Sequence, residues 1–229
     1  MKKMELLLDT ANLEQIQKYV NTLPIDGVTS NPSIIKKEGK IDFFEHLRQI
    51  RQIIGKNRTL HVQVVATDYE GMLADAQRIL KEVDDQVYIK VPSNEVGFKV
   101  MKELKRQGIH ITATAIYTEF QGLLAIHAGA DYLAPYYNRM ENLNIEASLV
   151  IQNLAAEIKR VHSDSKILAA SFKNVSQVLQ AINQGTQAVT IGPDVVAQAF
   201  SMPSIQKAID DFSQDWESIY QDSYIHDLS

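Results

Sequence analysis

One lysine of this chain lies in an apolar segment where its amine could do chemistry. Lys90 stands within Val87–Pro92, between Ile89 and Val91. Side chains alternate between the two faces of a strand, so Lys90 shares its face with Tyr88 and the aliphatic residues share the other. The aliphatic face is expected to meet helices, which points Lys90 into the interior. An amine in apolar surroundings loses solvation of its charged form, which lowers its pKa.

A neutral amine in such a place predicts Schiff-base chemistry. It can attack a carbonyl, and the protonated imine is an electron sink, so a bond next to the former carbonyl can break and leave an enamine. This is class I aldolase chemistry, which needs no metal. The six histidines show no metal-ligand spacing, and the chain has no cysteine. We therefore expect neither a metal nor a cofactor.

Other polar residues end or interrupt further apolar segments on the same inward face. Asp9 could move protons while the imine forms, and Tyr136 has a phenol that could exchange a proton with a substrate hydroxyl. Gln63 and Thr114 alternate with aliphatic residues and could hold a water between the acid and the substrate. Thr29 begins the polar end, Thr29–Asn31, of another strand candidate, which makes it a candidate for contact with substrate.

A second set of polar residues lies at or just after the sixth and seventh strand candidates. Arg139 and Ser171 offer a cation and a hydroxyl to a distal phosphate, with Lys173 near by. Structural explanations stay open for several candidates. Asp9 fits an N-cap or turn residue, Arg139 fits an ion pair with Glu141, and a lysine on a strand is often a surface residue.

The elements that must position these residues alternate along the whole chain. Eight strand candidates are separated by stretches with helical periodicity: Met4–Thr10, Gly27–Asn31, Leu60–Val65, Val87–Pro92, His110–Tyr117, Tyr132–Tyr137, Lys166–Ser171 and Ala188–Gly192. Several candidates are apolar on both faces, as in parallel strands that are covered on both sides. Asn12 and Asp68 are expected to cap helices, and Thr118 with Gln121 forms a capping-box pattern.

This order predicts an α/β protein with a (β/α)8 TIM barrel in one domain of residues 1–229. An amphipathic helix of about 203–221 ends the chain. Active residues of such barrels stand at the C-terminal ends of the strands. A doubly wound sheet is the alternative fold, but Asp9–Asn12 occupies the place where that fold often has a glycine-rich phosphate loop.

Composition and apolar run lengths argue against nucleic-acid binding, membrane contact and export. The net charge of −5 and the pI of about 5.7 argue against nucleic-acid binding. No apolar run approaches the roughly 20 residues of a membrane helix, so no membrane contact is expected. The apolar run Leu6–Leu8 is too short for the core of a signal peptide, and a cytoplasmic location is the expectation.

Taken together, seven segments resemble the small transaldolase family, and within it the fructose-6-phosphate aldolase subgroup. They lie in order over nearly the whole chain: Leu8–Asn12, Gly27–Ile35, Val87–Pro92, Thr114–Tyr117, Gln121–Leu124, Tyr132–Arg139 and Leu168–Lys173. The resemblance implies a (β/α)8 barrel with Lys90 as the Schiff-base lysine and Asp9 as the acid/base carboxylate. It also implies that Asn31 contacts substrate hydroxyls and that Arg139 and Ser171 hold the phosphate.

Two positions distinguish the chemistries within that family. The resemblance implies a glutamate and a phenylalanine in transaldolases where this chain has Gln63 and Tyr136, the pair of the aldolase subgroup. We therefore expect reversible cleavage of fructose 6-phosphate into dihydroxyacetone and glyceraldehyde 3-phosphate. The alternatives are a transaldolase that passes the dihydroxyacetone unit to another sugar phosphate, and a sugar-phosphate binding protein without turnover. The resemblance also implies a homo-oligomer, a pentamer or a decamer of two rings.

Overall fold

The computed structural model describes residues 4–228 and shows a closed barrel of eight parallel strands in chain order. The strands are β1 (Glu5–Asp9), β2 (Gly27–Thr29), β3 (Thr59–Gln63), β4 (Tyr88–Pro92), β5 (Ile111–Ile116), β6 (Tyr132–Pro135), β7 (Lys166–Ala169) and β8 (Ala188–Ile191). Closure comes from β1 pairing with β8, where Leu6 lies opposite Val189. The predicted (β/α)8 barrel is confirmed.

Helices fill the connections and surround the barrel. They are α1 (Leu13–Thr22), α2 (Pro32–Lys37), α3 (Phe43–Ile54), α4 (Tyr69–Glu82), α5 (Glu95–Arg106), α6 (Glu119–His127), α7 (Tyr137–Asn142), α8 (Ala147–Arg160), α9 (Val175–Asn183), α10 (Pro193–Phe200) and α11 (Pro203–Tyr220). A short 3-10 turn, Ile225–Asp227, follows α11. None of the helices in residues 4–228 combines the length and the apolar character that a membrane span requires.

Side-chain caps begin the helices where the sequence predicted them. The side chain of Asn12 accepts from the backbone N–H of Gln15 at the start of α1. The side chain of Asp68 accepts from the backbone N–H of Gly71 at the start of α4. Thr118 and Gln121 form the predicted capping box before α6. These bonds satisfy backbone donors that a helix leaves unpaired in its first turn, and so they fix where each loop after a strand must end.

Several strands are shorter at their C-terminal ends than the sequence predicted. β2 ends at Thr29 and not at Asn31, and β7 ends at Ala169 and not at Ser171. Asn31 is instead the N-cap of α2, and Ser171 has a left-handed backbone with φ of +63°. These polar residues therefore lie in the loops above the barrel, outside the strand ladder.

The alternation on β4 separates two apolar cores. Ile89 and Val91 are fully buried between the barrel and the helices. Leu7, Tyr132 and other inward residues form a smaller core inside the barrel. Lys90 belongs to the inward set, as the alternation predicted, and stands above this inner core at the C-terminal end of the barrel.

A buried histidine lies on the barrel axis side of β3, two residues before the C-terminal end of that strand. His61 Nδ1 lies 2.7 Å from Thr112 Oγ1, and Nε2 lies 2.9 Å from Thr59 Oγ1. Its ring stacks on Tyr88 with 4.7 Å between centroids. Burial, and then the charge of Lys90, hold the pKa of His61 well below its usual value. The imidazole of His61 therefore favours its neutral form.

Candidate active site

A cavity of about 460 Å³ opens at the C-terminal end of the barrel. Eight of the ten residues singled out from the sequence line it: Asp9, Asn31, Gln63, Lys90, Tyr136, Arg139, Ser171 and Lys173. The other two bind cavity residues, because Thr29 contacts Asp9 and Thr114 contacts Tyr136. All ten candidates thus meet in one place.

Lys90 brings a buried amine to this cavity. The residue is only 4% exposed, and its Nζ donates a 2.7 Å hydrogen bond to the backbone carbonyl of Ser30. Burial lowers the pKa of the Lys90 amine, and the nearby Asp9 carboxylate opposes that shift. The loss of hydration outweighs the attraction of the carboxylate, so the neutral, nucleophilic amine is populated more readily than in a surface lysine.

Asp9 stands at the end of β1 and shows the opposite shift. Burial raises the pKa of its carboxyl, while Lys90 and the hydroxyl of Thr29 lower it. Thr29 Oγ1 donates to Asp9 Oδ1 at 2.7 Å, and the same hydroxyl lies 2.6 Å from that of Thr190. The carboxyl is therefore oriented by a buried chain of hydroxyls and can hold or release a proton more easily than an exposed aspartate.

Tyr136 follows the end of β6 and points its phenol towards β5. Its hydroxyl lies 2.9 Å from Thr114 Oγ1. Burial raises the pKa of Tyr136, whereas Thr114 and the cation of Arg139 lower it. Gln63 faces the same cavity, and its Oε1 is one of two buried side-chain polar atoms in the described part of the chain that have no hydrogen-bond partner. The phenol of Tyr136 and the side chain of Gln63, whose amide oxygen is unpartnered, thus face the same cavity.

Asn31 lines the cavity and also caps a helix. Its Oδ1 accepts from the backbone N–H of Ile34 at 3.0 Å, which fixes the side chain at the start of α2. The carboxamide nitrogen still has donors to offer. The cap therefore holds a hydrogen-bond donor in a defined position above the barrel.

The cationic side of the cavity is formed by loops that follow β6 and β7. Arg139 on α7 does not depend on Glu141, since Glu141 accepts from Gln177 and Arg139 Nη1 donates to Tyr117 Oη at 2.8 Å. Ser171 has its left-handed backbone on the cavity wall, and its carbonyl accepts from the N–H of Asn138 at 3.1 Å. A planar guanidinium beside a hydroxyl is a suitable pair for an oxyanion such as phosphate.

Several lining residues escaped the sequence analysis. Tyr117 lines the wall between Tyr136 and Arg139, and Ala115 beside it has a left-handed φ of +56°. Both lie at the C-terminal end of the predicted strand His110–Tyr117. That position alone could have indicated that they line the site. Lys37, Glu38 and Asp194 complete the rim on the side of β1 and β2. Lys37 ends α2, Glu38 caps that helix and Asp194 lies on α10, so no strand pattern could place them.

Comparison with known proteins agrees with this geometry. A model of the family described as "Transaldolase/Fructose-6-phosphate aldolase" matches residues 6–226. A protein from Streptococcus pneumoniae, named "Probable fructose-6-phosphate aldolase", is 59% identical over 213 residues, which are 93% of this chain and 96% of that relative. The predicted family resemblance is confirmed by both.

Solved structures with low sequence identity share the fold alone. Thiamine phosphate pyrophosphorylase from Pyrococcus furiosus is 15% identical, with a TM-score of 0.59 over 83% of this chain and 86% of that one. A designed cube-shaped protein cage is also 15% identical, with a TM-score of 0.59 over 96% of this chain and 79% of that one. By sequence over nearly its whole length, the chain belongs to the transaldolase/fructose-6-phosphate aldolase family.

Proposed function

We propose that the protein is a class I aldolase that reversibly cleaves fructose 6-phosphate into dihydroxyacetone and glyceraldehyde 3-phosphate. The observation that carries this proposal is the buried amine of Lys90 in a polar cavity beside Asp9. An amine whose charge is disfavoured by burial is suited to attack a ketone. The name of the Streptococcus pneumoniae relative supports the same activity.

In this proposal Lys90 attacks carbon 2 of the ketose, and the carbinolamine loses water to give a protonated imine. Asp9 supplies and removes the protons of these steps, for which its raised pKa suits it. The bond between carbons 3 and 4 then breaks as the hydroxyl on carbon 4 loses its proton, and the aldehyde leaves. The imine accepts the bonding electrons and becomes an enamine.

The enamine must next gain a proton on carbon 3, after which water hydrolyses the imine and releases dihydroxyacetone. One water is lost and one is regained, so the reaction balances. Tyr136 would exchange a proton with the hydroxyl on carbon 4. Gln63 and Thr114 would hold the water that relays protons. In synthesis the same phenol donates its proton to the aldehyde oxygen, which its raised pKa permits at neutral pH.

The remaining candidates bind substrate in this scheme. Arg139, Ser171 and Lys173 would hold the phosphate on carbon 6, because they bring two cations and a hydroxyl to one side of the cavity. Asn31 would donate to substrate hydroxyls from the start of α2. Thr29 would orient Asp9 and would not need to touch substrate, since its hydroxyl bonds directly to that carboxylate.

Trapping tests the covalent step directly. Incubation with dihydroxyacetone and borohydride should reduce the imine to a stable adduct, and mass spectrometry of peptides should place it on Lys90. A wild-type chain without an adduct would refute the enzymatic proposal and favour the binding-protein alternative. Cleavage of fructose 6-phosphate without an acceptor should also proceed. Cleavage that requires erythrose 4-phosphate would replace the aldolase by a transaldolase.

We also propose that the protein is a homo-oligomer. Helix α11 has no buried residue, and its apolar side chains face outwards, with Phe212 71% and Ile209 51% exposed. An apolar stripe of this kind on a helix is typical of a surface that packs on another chain. Light scattering of the wild type and of Phe212→Lys should show a smaller mass for the variant. A monomeric wild type would refute this proposal.

A further inference from the structure

Three side chains from different elements meet at one wall of the cavity. Tyr117 follows β5, Tyr136 follows β6, and Arg139 belongs to α7. The ring of Tyr117 meets that of Tyr136 edge to face, with 5.5 Å between centroids and 65° between planes. The guanidinium carbon of Arg139 lies 5.0 Å from the centroid of Tyr136. The hydroxyl of Tyr117 closes the triangle by accepting from Arg139 Nη1 at 2.8 Å.

The backbone under Tyr117 is firmly held. Gln121 Oε1 accepts from the N–H of Tyr117 at 3.0 Å, and Gln121 Nε2 donates to the carbonyls of Ser93 at 2.7 Å and Ala115 at 3.3 Å. Ala115 has a left-handed backbone, and the register of β5 against β6 shifts at this place. A residue other than glycine keeps such a conformation only where its surroundings impose it. The ring of Tyr117 is therefore fixed in direction.

Arg139 is different, because it is exposed and has a long side chain. Ordering such a side chain on binding costs conformational entropy. The hydrogen bond to the fixed phenol of Tyr117 already restricts the Arg139 side chain before substrate binds. Less conformational entropy is therefore lost on binding. A guanidinium has five N–H donors, so the bond to Tyr117 leaves donors for a phosphate. The stack on Tyr136 sets the plane in which they point.

We propose that Tyr117 is a positioning residue that aligns Arg139 for the phosphate and thereby makes the enzyme prefer phosphorylated aldehydes. This inference rests on the proposed function, in which Arg139 binds the phosphate and Tyr136 transfers a proton. Tyr117 itself acts through Arg139 and takes no part in the covalent steps. The preference for glyceraldehyde 3-phosphate over glyceraldehyde should then depend on one hydroxyl group.

Tyr117→Phe removes that hydroxyl and keeps the ring that packs on Tyr136. For the wild type and the variant, kcat/KM is measured for aldol addition of dihydroxyacetone to glyceraldehyde 3-phosphate and to glyceraldehyde. We expect the ratio of the two values to fall about fivefold or more, through KM of the phosphorylated aldehyde, as the loss of a hydrogen bond to a charged group would cause. An unchanged ratio, or an equal loss with both aldehydes, would overturn the inference.

A double-mutant cycle shows whether Tyr117 acts through Arg139. In an Arg139→Ala background, Tyr117→Phe should leave the ratio unchanged, because the group that it positions is gone. A further fall in that background would contradict the inference. Tyr137→Phe is the matched control, since it removes a phenol that bonds to Gln180 away from the cavity, and it should keep the wild-type ratio.

Binding of inorganic phosphate separates this inference from the proposed function. Calorimetry at equal pH should show weaker phosphate binding to Tyr117→Phe than to the wild type, whether or not the protein turns over a sugar. If borohydride traps nothing on the wild type while phosphate binding still depends on Tyr117, the proposed function fails and the positioning role stands. If the wild type is trapped and phosphate binding is the same in both proteins, the positioning role fails alone.

Discussion

The Lys90 amine donates its 2.7 Å hydrogen bond to the backbone carbonyl of Ser30, a neutral acceptor in the loop after β2. A carbonyl can accept from a neutral amine as well as from an ammonium group, so this bond can orient Nζ in either protonation state. Burial separately lowers the pKa of the Lys90 amine. Orientation and charge are set by different neighbours, which permits an amine that is both fixed and reactive.

Lys90→Met should abolish activity and keep the fold. Methionine has a similar unbranched shape and carries no buried charge, so we expect a melting temperature at or above that of the wild type. Turnover should fall by at least ~10³-fold, because the covalent step is lost. Adduct formation with dihydroxyacetone and borohydride should disappear, whereas Lys81→Met, a change at an exposed lysine, should be trapped like the wild type. Trapped adduct in the Lys90 variant would refute the assignment.

Asp9→Asn should separate two effects of the carboxylate. Its charge raises the pKa of Lys90, so its removal should lower that pKa further and allow trapping at a lower pH. Turnover should nevertheless fall about 10²-fold, since the proton carrier is lost. The rate of borohydride trapping, measured against pH, should show its rising limb at lower pH than in the wild type. A rising limb at higher pH would contradict the assigned electrostatics.

The same lowered pKa of Lys90 has a consequence for stability. The unfolded chain binds the Lys90 proton more tightly than the folded chain does, so folding releases a proton between the two pKa values. The contribution of Lys90 therefore makes the folded state more stable as the pH rises through this window, up to the ordinary lysine value. Urea unfolding at several alkaline pH values should show this rise in the wild type relative to Lys90→Met. A parallel pH dependence in the two proteins would contradict it.

Tyr136→Phe should slow cleavage by about 10²-fold, the usual cost of losing a general acid or base. The enamine should still form from dihydroxyacetone, because Lys90 is untouched, so trapping should persist. Transfer of the three-carbon unit to an acceptor should rise relative to cleavage. Product analysis with and without erythrose 4-phosphate measures both rates. An unchanged rate and ratio would show that the phenol of Tyr136 moves no proton in the reaction.

Gln121→Glu should destabilise the loop that carries Tyr117. The amide of Gln121 donates to the carbonyls of Ser93 and Ala115, and a carboxylate would place an acceptor against both. We expect a loss of about 1–3 kcal/mol in the free energy of unfolding at pH 7. The loss should be smaller near pH 4, where a protonated carboxyl can donate again. Urea unfolding at the two pH values measures this, and an equal loss at both would argue against the two donor bonds.

Much of the fold could be predicted because its signals are local. The alternation of Lys90 with Ile89 and Val91 shows which side chain turns inwards, since neighbours on a strand must point to opposite faces. The helix starts at Asn12 and Asp68 were equally visible, because a cap and its backbone donor are three residues apart. Order and number of such elements then predict the barrel.

What the sequence by itself determined was therefore the eight-stranded alternation and the inward direction of its polar residues. Only the tertiary structure decided which of them touch. The bond between Arg139 and Tyr117 joins residues 22 positions apart, in the segments that follow the neighbouring strands β5 and β6. Pairwise contacts of this kind depend on strand register and rotamers, which barrel closure sets and which no local pattern encodes.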